Sequence, residues 1–396
     1  MTAAEHERPD GGRPPAVLQV LPALVTGGVE RGTVDTAKAL AKAGWVSYVV
    51  SEGGPMVREL ERAGAKHFTL PMASKNPLVM RRNAERLEAL IRELPVDLVH
   101  VRSRAPAWSA RAAARRCGVP LVTTFHNAYK AHNWFRRLWA GPMAQADHMV
   151  AISQFVADYA HQTFGVPRSI ITVIARGTDL AWFDPARVYP DRIARLAQQW
   201  RLVDGLPVIL LPGRLTRWKG HAVLLRALAE LSRRHGKQDF IAVLSGDSQG
   251  RESYRAELEQ LIAQLGLDRC VRLPGDCKDM PAAYMLADVV VSASTEPEGF
   301  GRVAVEAQAM GKPVIATDHG GARETVIPGE TGWLVPPRDA RALADALEVA
   351  LGLDADRRLA IAERARRHVA AHFTVDAMCA AYIRVYTDLL FPADAR

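Results

Sequence analysis

The sequence lacks any apolar run approaching the ~20 residues that a transmembrane helix needs, so it predicts no membrane span. Met1 to Pro15 also lack the apolar core of a signal peptide, and we expect them to form a disordered leader. Cysteine is scarce, and the four residues at positions 117, 270, 277 and 379 form no C-x-x-C pair. This spacing disfavours a zinc site and favours free thiols in a reducing cytoplasm.

The length and composition indicate a globular protein of two domains. A chain of 396 residues is too long for one ordinary core, and 48% hydrophobic with 24% charged residues is usual for soluble proteins. We expect an N-terminal domain over residues 16–200 and a C-terminal domain over residues 206–374. A last helix over residues 375–391 is expected to cross back and pack on the first domain.

The net charge of +8 is concentrated in the first half of the chain. Residues 1–200 hold 26 Lys and Arg against 17 Asp and Glu. This excess favours an anionic partner such as a lipid headgroup surface, a phosphorylated acceptor or nucleic acid, and a solvated basic face is the alternative. Nucleic acid is disfavoured because the cations are not interleaved with a stacking platform or a recognition motif.

Short β-branched runs alternate with amphipathic stretches along the chain, which is typical of βα units on parallel sheets. We predict an α/β fold with two Rossmann-like, doubly wound domains that bind ligands in the crevice between them, at the carboxyl ends of their strands. The predicted strands are Val17–Leu21, Val46–Val50, Leu98–Val101, Leu121–Phe125, Met149–Ile152, Ile171–Ile174, Val208–Leu211, Phe240–Leu244, Val271–Leu273, Val289–Ala293, Val314–Ala316 and Gly332–Val335.

Two glutamates eight positions apart, Glu298 and Glu306, flank a predicted strand-to-helix turn that contains Gly299, Phe300 and Gly301. Such a turn exposes unpaired backbone N–H groups at a helix N-terminus, which favours phosphate. A helical span of this length would rise about 12 Å, roughly the distance from the ribose to the hexose of a nucleotide sugar. The pattern predicts a sugar-nucleotide site, and two solvated glutamates near a helix dipole are the alternative.

A glycine-bounded basic loop follows the first predicted strand of the second domain. It carries Arg214 and Lys219 between Gly213 and Gly220. Arginine offers a planar fork for phosphate oxygens and lysine a mobile point charge, so the loop can neutralise a departing diphosphate. Two solvated cations on a surface loop are the alternative.

Residues of the first domain are expected at the same crevice. Gly27 and Gly28 form the turn after the first strand, where paired glycines let a ligand approach the backbone. His126 follows a predicted strand, and Arg176 follows the last predicted strand of the domain. The carboxyl ends of parallel strands place both side chains where a ligand can contact them.

Together these motifs resemble the family 4 glycosyltransferases, retaining enzymes of the GT-B fold, over about residues 16–391. The resemblance implies that Arg214 and Lys219 bind the donor diphosphate and that Glu306 binds ribose hydroxyls. It implies that Glu298 and His126 lie beside the transferred sugar. Arg176 stands where many members have asparagine, so the resemblance assigns it no role. The residues that carry the resemblance are Gly27, Gly28, His126, Gly213, Arg214, Lys219, Gly220, Glu298, Gly299, Phe300, Gly301 and Glu306.

The resemblance further implies transfer of a hexose from a nucleotide-diphosphate sugar to a glycan or lipid-linked acceptor, without an obligatory metal. We expect a role in the biosynthesis of cell-envelope polysaccharide or lipopolysaccharide. A nucleotide-sugar epimerase on the same two-domain plan is the first alternative. A metal-dependent transferase with an Asp-x-Asp ligand pair is the second, but Asp354-Ala-Asp356 lies between helical stretches and predicts a turn.

One segment of the first domain bears on the acceptor. Aromatic and basic side chains on one short helix suit the water–lipid interface, and inward packing of the aromatic residues is the alternative. Our hypothesis is a peripheral contact with the inner face of the cytoplasmic membrane. The residues concerned are Trp134, Phe135, Arg136, Arg137, Leu138 and Trp139.

Overall fold

The computed structural model describes residues 12–25, 27–128 and 134–392, and the side chains of residues 134–137 are not described. The predicted disordered leader lies outside the described residues as far as residue 11. The chain divides into two units, the first formed by Met1–Gly177 with Val375–Arg396 and the second by Thr178–Thr374. Across the described residues, no helix combines the length and the apolar character needed to cross a membrane.

The first unit is built on a parallel sheet with helices along its connections. Within the described residues its strand order is β3-β2-β1-β4-β5-β6-β7, so the order reverses between β1 and β4. The strands are β1 Ala16–Val20, β2 Val46–Ser51, β3 Lys66–Thr69, β4 Leu98–Val101, β5 Leu121–Phe125, β6 His148–Ala151 and β7 Ile171–Val173. The helices between them are α1 Gly28–Lys42, α2 Val57–Arg62, α3 Pro77–Glu93, α4 Arg104–Cys117, α5 Trp134–Ala144 and α6 Gln154–Phe164.

The second unit repeats this plan with the strand order β10-β9-β8-β11-β12-β13. Its strands are β8 Val208–Pro212, β9 Ile241–Ser245, β10 Val271–Gly275, β11 Val289–Ser292, β12 Val314–Thr317 and β13 Gly332–Val335. Its helices are α7 Pro190–Gln199, α8 His221–His235, α9 Glu252–Gln264, α10 Met280–Leu286, α11 Arg302–Ala309, α12 Ala322–Thr325, α13 Ala340–Leu351 and α14 Ala355–His372.

The last helix, α15 (Val375–Leu390), packs on the first unit, as predicted. Tyr382 and Tyr386 lie in one buried cluster with Val17 of β1 and Val150 of β6. The aromatic side chains that recur at helical spacing along this segment therefore serve packing. The predicted α/β fold with two doubly wound parallel sheets is confirmed.

The division between the units falls at Thr178, earlier than the predicted boundary at residues 200–205. The cause is α7, which packs on α10 of the second unit. Two hydrogen bonds of 2.9 and 2.6 Å join Arg192 of α7 to Asp279. Trp200, just after α7, is buried with Val208 of β8.

Some elements were missed or misjudged from the sequence. Strand β3 was missed because it is a short edge strand, and its side chains are only partly buried. Helix α3 begins at Pro77, because the side chain of Asn76 caps its N-terminus. Asp354 of the Asp-x-Asp pair caps α14 by accepting a hydrogen bond of 2.8 Å from Arg357 N, as its turn character predicted.

Candidate functional site

Lys219 and Glu298 form the centre of the candidate site in the second unit. Lys219 lies in the loop between β8 and α8, and Glu298 lies in the loop between β11 and α11. Lys219 Nζ donates a hydrogen bond of 2.7 Å to Glu298 Oε1, and only 13% and 17% of the two side chains are exposed. Ser294 Oγ donates to the same carboxylate oxygen. Strands β8 and β11 are neighbours in the sheet, so the loops at their carboxyl ends meet.

The Glu298 carboxyl is kept ionised by its surroundings. Burial by itself would raise its pKa, but the charge and hydrogen bond of Lys219 act in the opposite direction. The hydroxyl of Ser294 and the nearby His319 add to this effect, so the pKa of Glu298 lies below its usual range. A buried carboxylate that stays charged can stabilise positive charge developing beside it, and it cannot act as a proton donor.

Glycines allow the loops around Glu298 to pack closely. A Cβ on Gly220 would lie 1.8 Å from the carbonyl oxygen of Ala293, and the φ of Gly220 is +77°. A Cβ on Gly320 would lie 2.4 Å from the carbonyl oxygen of Glu298. The backbone N–H of Gly321 donates to that same oxygen at 2.9 Å. These contacts fix the backbone that carries the Glu298 side chain.

Glu306 lies on the second turn of α11 and is 7% exposed, so it is not the solvated glutamate of the alternative interpretation. Tyr284 Oη donates to Glu306 Oε2 at 3.0 Å, and Arg302 Nη2 donates to Oε1 at 2.6 Å. Burial, together with the carboxylate of Glu306, raises the pKa of Tyr284 well above its usual range, so the phenol remains a donor. The Glu306 carboxylate is therefore held in one orientation.

The turn between the two glutamates is only partly helical, because α11 begins at Arg302. Gly301 precedes that helix with a φ of +87°, which favours glycine at this position. Gly299 and Phe300 are buried, and the ring of Phe300 packs edge-on against Phe373 at 5.5 Å between centroids. The conformation of Gly301 and the packing of Phe300 therefore fix the path of the chain into α11.

Arg214 differs from its loop partner Lys219, because it is exposed and lies 3.4 Å from Gln249 Oε1. The backbone N–H of Gly213 donates to the carbonyl oxygen of Ser245 at 2.8 Å, which anchors the start of the loop beside β9. The structure therefore brings Lys219 and Glu298 into contact and leaves the guanidinium of Arg214 at the surface of the second unit.

In the first unit, Arg176 joins two of the other predicted residues. It follows β7 and is 8% exposed. Its Nη1 donates to the carbonyl oxygen of Gly28, and its Nη2 lies 3.1 Å from His126 Nδ1. Gly27 is the N-cap of α1, and the carboxylate of Glu30 folds over it. His126, Arg176 and Gly28 form one group at the carboxyl edge of the first sheet.

The imidazole of His126 is kept neutral. Burial, followed by the charges of Arg176 and Arg102 and by His100, holds its pKa well below its usual range. Arg102 follows β4, is 1% exposed, and donates to Gln19 Oε1 at 2.8 Å. A neutral imidazole can donate one hydrogen bond and accept another.

Several residues around these side chains were missed from the sequence. Ser294 and His319 follow the ends of β11 and β12, a position that could have marked them. Tyr284 gave no signal, because it lies in the apolar pattern of α10. Within the described residues, no three His, Cys, Asp or Glu side chains group together as metal ligands.

The chain matches two family models. Residues 193–368 match the model described as "Glycosyl transferases group 1". Residues 26–182 match the model described as "Glycosyltransferase Family 4". The first match contains Lys219, Glu298 and Glu306, and the second contains His126 and Arg176.

Curated relatives carry the name D-inositol 3-phosphate glycosyltransferase. The protein of Corynebacterium jeikeium is 40% identical over 226 residues, covering 55% of this chain and 52% of the relative. The chain thus spans about half the length of that relative. The protein of Xylanimonas cellulosilytica is 35% identical over 327 residues, covering 78% of this chain and 74% of the relative.

Solved structures are similar to this chain over almost its whole length. A glycosyltransferase from Rickettsia africae has a TM-score of 0.87 and 36% identity, covering 96% of this chain and 100% of that one. Alr3699/HepE of Anabaena, solved in complex with UDP-glucose, has a TM-score of 0.80 and 26% identity, covering 94% of this chain and 99% of that one.

Proposed function

We infer that this chain, which belongs to family 4 of the glycosyltransferases and has the GT-B fold, transfers a hexose from a nucleotide-diphosphate sugar to a glycan or lipid-linked acceptor. The observation that carries this proposal is the contact between Lys219 and Glu298. It places one cation and one carboxylate side by side, on loops that pack closely at Gly220 and Gly320. Departure of a diphosphate from a sugar develops negative charge on the phosphate and positive charge on the ring, and this pair matches both.

The proposed reaction keeps the configuration at the anomeric carbon. The bond from that carbon to the diphosphate oxygen breaks, and the acceptor oxygen bonds to the same face of the sugar. The acceptor's proton moves to the leaving diphosphate. Lys219 has three N–H donors, so it can bind a phosphate oxygen while it keeps Glu298. Glu298, ionised by its surroundings, stabilises the positive ring.

Glu306 is assigned to the ribose of the donor. A carboxylate accepts hydrogen bonds only, so it pairs well with two neighbouring hydroxyls. Tyr284 and Arg302 each donate one hydrogen bond to Glu306, one to each carboxylate oxygen, so both oxygens keep further lone pairs for the ribose. Arg214, Gly213 and the turn around Gly299 and Gly301 are assigned to the diphosphate.

The names of the similar proteins suggest which substrates to test first. UDP-glucose is present in one similar structure. D-inositol 3-phosphate is in the name of the relatives. A phosphorylated acceptor also agrees with the 26 Lys and Arg against 17 Asp and Glu in residues 1–200. A place in cell-envelope or lipopolysaccharide biosynthesis is the broader form of the proposal.

The test is a matrix of UDP-, GDP- and ADP-linked hexoses against acceptors that include D-inositol 3-phosphate and lipid-linked glycans. We expect one donor to release its nucleoside diphosphate in step with a glycosylated product, and mass spectrometry identifies that product. An isomerised sugar that stays on its nucleotide would instead indicate the epimerase. Release of no nucleoside diphosphate from any donor would contradict the proposal.

We also propose that the reaction needs no obligatory metal, because Lys219, Arg214 and backbone N–H groups can neutralise the diphosphate. Turnover of the purified protein should survive excess chelator. Loss of turnover in chelator, restored only when Mg²⁺ or Mn²⁺ is added, would contradict this. As a control, the chelator should abolish turnover of a metal-dependent transferase in the same buffer.

A cytoplasmic location with peripheral contact to an anionic membrane remains part of the proposal. Of the predicted segment, Leu138 is 56% exposed, whereas the ring of Trp139 lies 6.3 Å from that of Trp108. The side chains of Trp134, Phe135, Arg136 and Arg137 lie outside the described residues. Flotation with vesicles of anionic lipid should weaken when Leu138 is changed to Glu, and equal flotation would contradict this contact.

A further inference from the structure

Arg176 is the predicted site residue to which the proposed function assigns no role. Its guanidinium contacts two separate parts of the first unit. Nη1 donates to the carbonyl oxygen of Gly28 in the first turn of α1, and Nη2 lies 3.1 Å from Nδ1 of His126. The side chain is 8% exposed, so these contacts are shielded from water.

The contact with Arg176 determines where the proton of His126 lies. A guanidinium has N–H donors and no acceptor, so the hydrogen bond requires Nδ1 of His126 to be the acceptor. A neutral imidazole with a bare Nδ1 carries its proton on Nε2. The opposite tautomer would place an N–H against the N–H of Arg176.

The ring must be neutral for this inference to hold, and its surroundings keep it so. The groups that face it are Arg176 after β7, Arg102 after β4, and His100 on β4. After burial, these are the causes that lower the pKa of His126, and no acid is among them. The positive neighbours disfavour a second proton on the ring.

The Nε2 atom of His126 is buried and has no hydrogen-bond partner among the described residues. Leaving a buried donor without a partner is unfavourable. The imidazole therefore offers a directed N–H whose direction is set by the hydrogen bond on the other side of the ring. An oxygen of a bound molecule is the natural acceptor.

We propose that Arg176 is a positioning residue that fixes His126 as the Nε2–H tautomer, so that the ring donates a hydrogen bond to a substrate oxygen and cannot take its proton. The identity of that oxygen, a hydroxyl of the transferred sugar, rests on the proposed function. The tautomer itself does not, because it follows from the contacts of Arg176 alone.

The helix beside Arg176 has space for its guanidinium because of Gly32. A Cβ at Gly32 would lie 3.2 Å from Arg176 Nη1 and 3.7 Å from Arg102 Nη1. Arg102 is itself anchored, because its Nη2 donates to Thr36 Oγ1 at 2.7 Å. The Cβ introduced by Gly32→Ala would therefore displace the guanidinium of Arg176, while Arg102 beside it is held in place by Thr36.

The first experiment observes the tautomer directly in the full chain labelled with ¹⁵N-histidine. Long-range ¹H–¹⁵N spectra distinguish a protonated ring nitrogen from a bare one, and the spectrum of His126→Gln identifies the signals of His126. We expect the Nε2–H form in the wild type and a mixture of tautomers in Arg176→Met. Arg168→Met is the matched control, because Arg168 is exposed and pairs with Asp158 at 2.8 Å. An unchanged tautomer in Arg176→Met would overturn the proposal.

The second experiment measures activity in a double-mutant cycle. Arg176→Met should lower kcat/KM by about 5- to 10-fold, the worth of roughly one hydrogen bond. His126→Gln keeps an N–H donor near the position of Nε2 without a tautomer choice, so its activity is the reference for the cycle. In that background Arg176→Met should have little further effect. A full, additive loss in the double variant would show that Arg176 acts without His126.

A variant that keeps Arg176 guards against a folding defect. Gly32→Ala is compatible with the interior of α1 and raises the helix propensity there, but its Cβ lies too close to the guanidinium of Arg176. We expect a folded protein with an unchanged or higher Tm and a partial shift to the mixed tautomer. If Arg176→Met fails to fold and Gly32→Ala leaves the tautomer unchanged, the proposal is wrong. If no sugar is transferred by the wild type but the tautomer responds to Arg176, only the proposed function fails.

Discussion

The ammonium of Lys219 and the carboxylate of Glu298 lie 2.7 Å apart and are mostly shielded from water. Each belongs to a different loop of the second unit, so the pair joins those loops. Removing one member of a buried pair leaves the other charge uncompensated, which costs about 3–5 kcal/mol when burial is complete. Partial exposure of both side chains lowers that cost. The same two charges are assigned to the donor in the proposed function, so we expect stability and activity to depend on one contact.

Changing Lys219 to Met should lower both stability and activity. We expect the free energy of unfolding to fall by about 2–3 kcal/mol and kcat/KM to fall by about 10- to 100-fold, because a charged hydrogen bond is lost. The double variant Lys219→Met with Glu298→Gln should recover much of the stability and none of the activity. Denaturant titration and donor turnover measure the two effects.

Lys237→Met is the matched control for Lys219. Lys237 is 66% exposed and pairs with Asp239 at the surface, so its loss should change stability by less than about 0.5 kcal/mol. If the variants at positions 219 and 237 had the same turnover, Lys219 would not bind the donor.

Glu306→Gln should weaken donor binding without a large loss of stability. The amide keeps the shape of the side chain and one acceptor oxygen, but it loses the charge that pairs with Arg302. We expect KM for the donor to rise about 10-fold, with a smaller change in kcat, because a binding contact far from the reacting carbon is affected. Glu330→Gln in the exposed turn before β13 serves as control, and equal KM values in the two variants would refute the ribose assignment.

Two glycines at the ends of α8 test the close packing of the site loop. Gly220 and Gly236 have φ values of +77° and +67°, so Ala is strained at both positions by about 1 kcal/mol. They differ in the space around them: a Cβ on Gly220 would lie 1.8 Å from Ala293 O, whereas nothing lies within 4 Å of one on Gly236. Gly220→Ala should therefore lower Tm clearly more than Gly236→Ala, and only Gly220→Ala should also lower turnover. Equal Tm values would mean that the backbone at Gly220 moves freely.

Most of the fold could be predicted from local sequence. The strands of both sheets are β-branched runs, and burial of both sheet faces makes such runs continuous along the sequence. Strand β3 was not predicted, because an edge strand with an exposed Lys66 carries no such run. The position of the boundary between the units was not predicted either. The attachment of α7 to the second unit depends on the pair of Arg192 with Asp279, and these residues are 87 positions apart in the sequence.

The candidate site was predictable in its residues but not in its contacts. Motif spacing located Lys219 and Glu298, yet nothing in the sequence paired them. Their contact arises because β8 and β11 are neighbours in the sheet although β9 and β10 lie between them in the chain. The contact between Arg176 and His126 has the same origin, since β5 and β7 both end at one edge of the first sheet. Tertiary pairing of this kind has no local signal.

His221 makes stability depend on pH in a defined window. It is the first residue of α8 and is fully buried. Burial, with a smaller contribution from the charge of Lys219, lowers its pKa to about 4, against the opposing effect of the backbone carbonyls of Gly213 and Thr216. The unfolded chain has an ordinary histidine pKa near 6.5. Between these values the unfolded state binds a proton that the folded state excludes, so stability falls as the pH is lowered.

The contribution of His221 should be lost between about pH 6.5 and 4 and should change no further below that range. A difference of about 2.5 pKa units corresponds to roughly 3 kcal/mol. Other buried histidines contribute to the same trend, so the test is a difference. The free energy of unfolding of the wild type and of His221→Gln, measured by denaturant titration at several pH values, should converge by about that amount as the pH is lowered. His235→Gln, at an exposed position on the last turn of the same helix, is the control for replacing a histidine of α8 at the surface. Parallel curves for the wild type and His221→Gln would show that the folded protein protonates His221 as readily as the unfolded chain does, and the loop from Gly213 to Gly220 would then carry a second cation beside Lys219 at low pH.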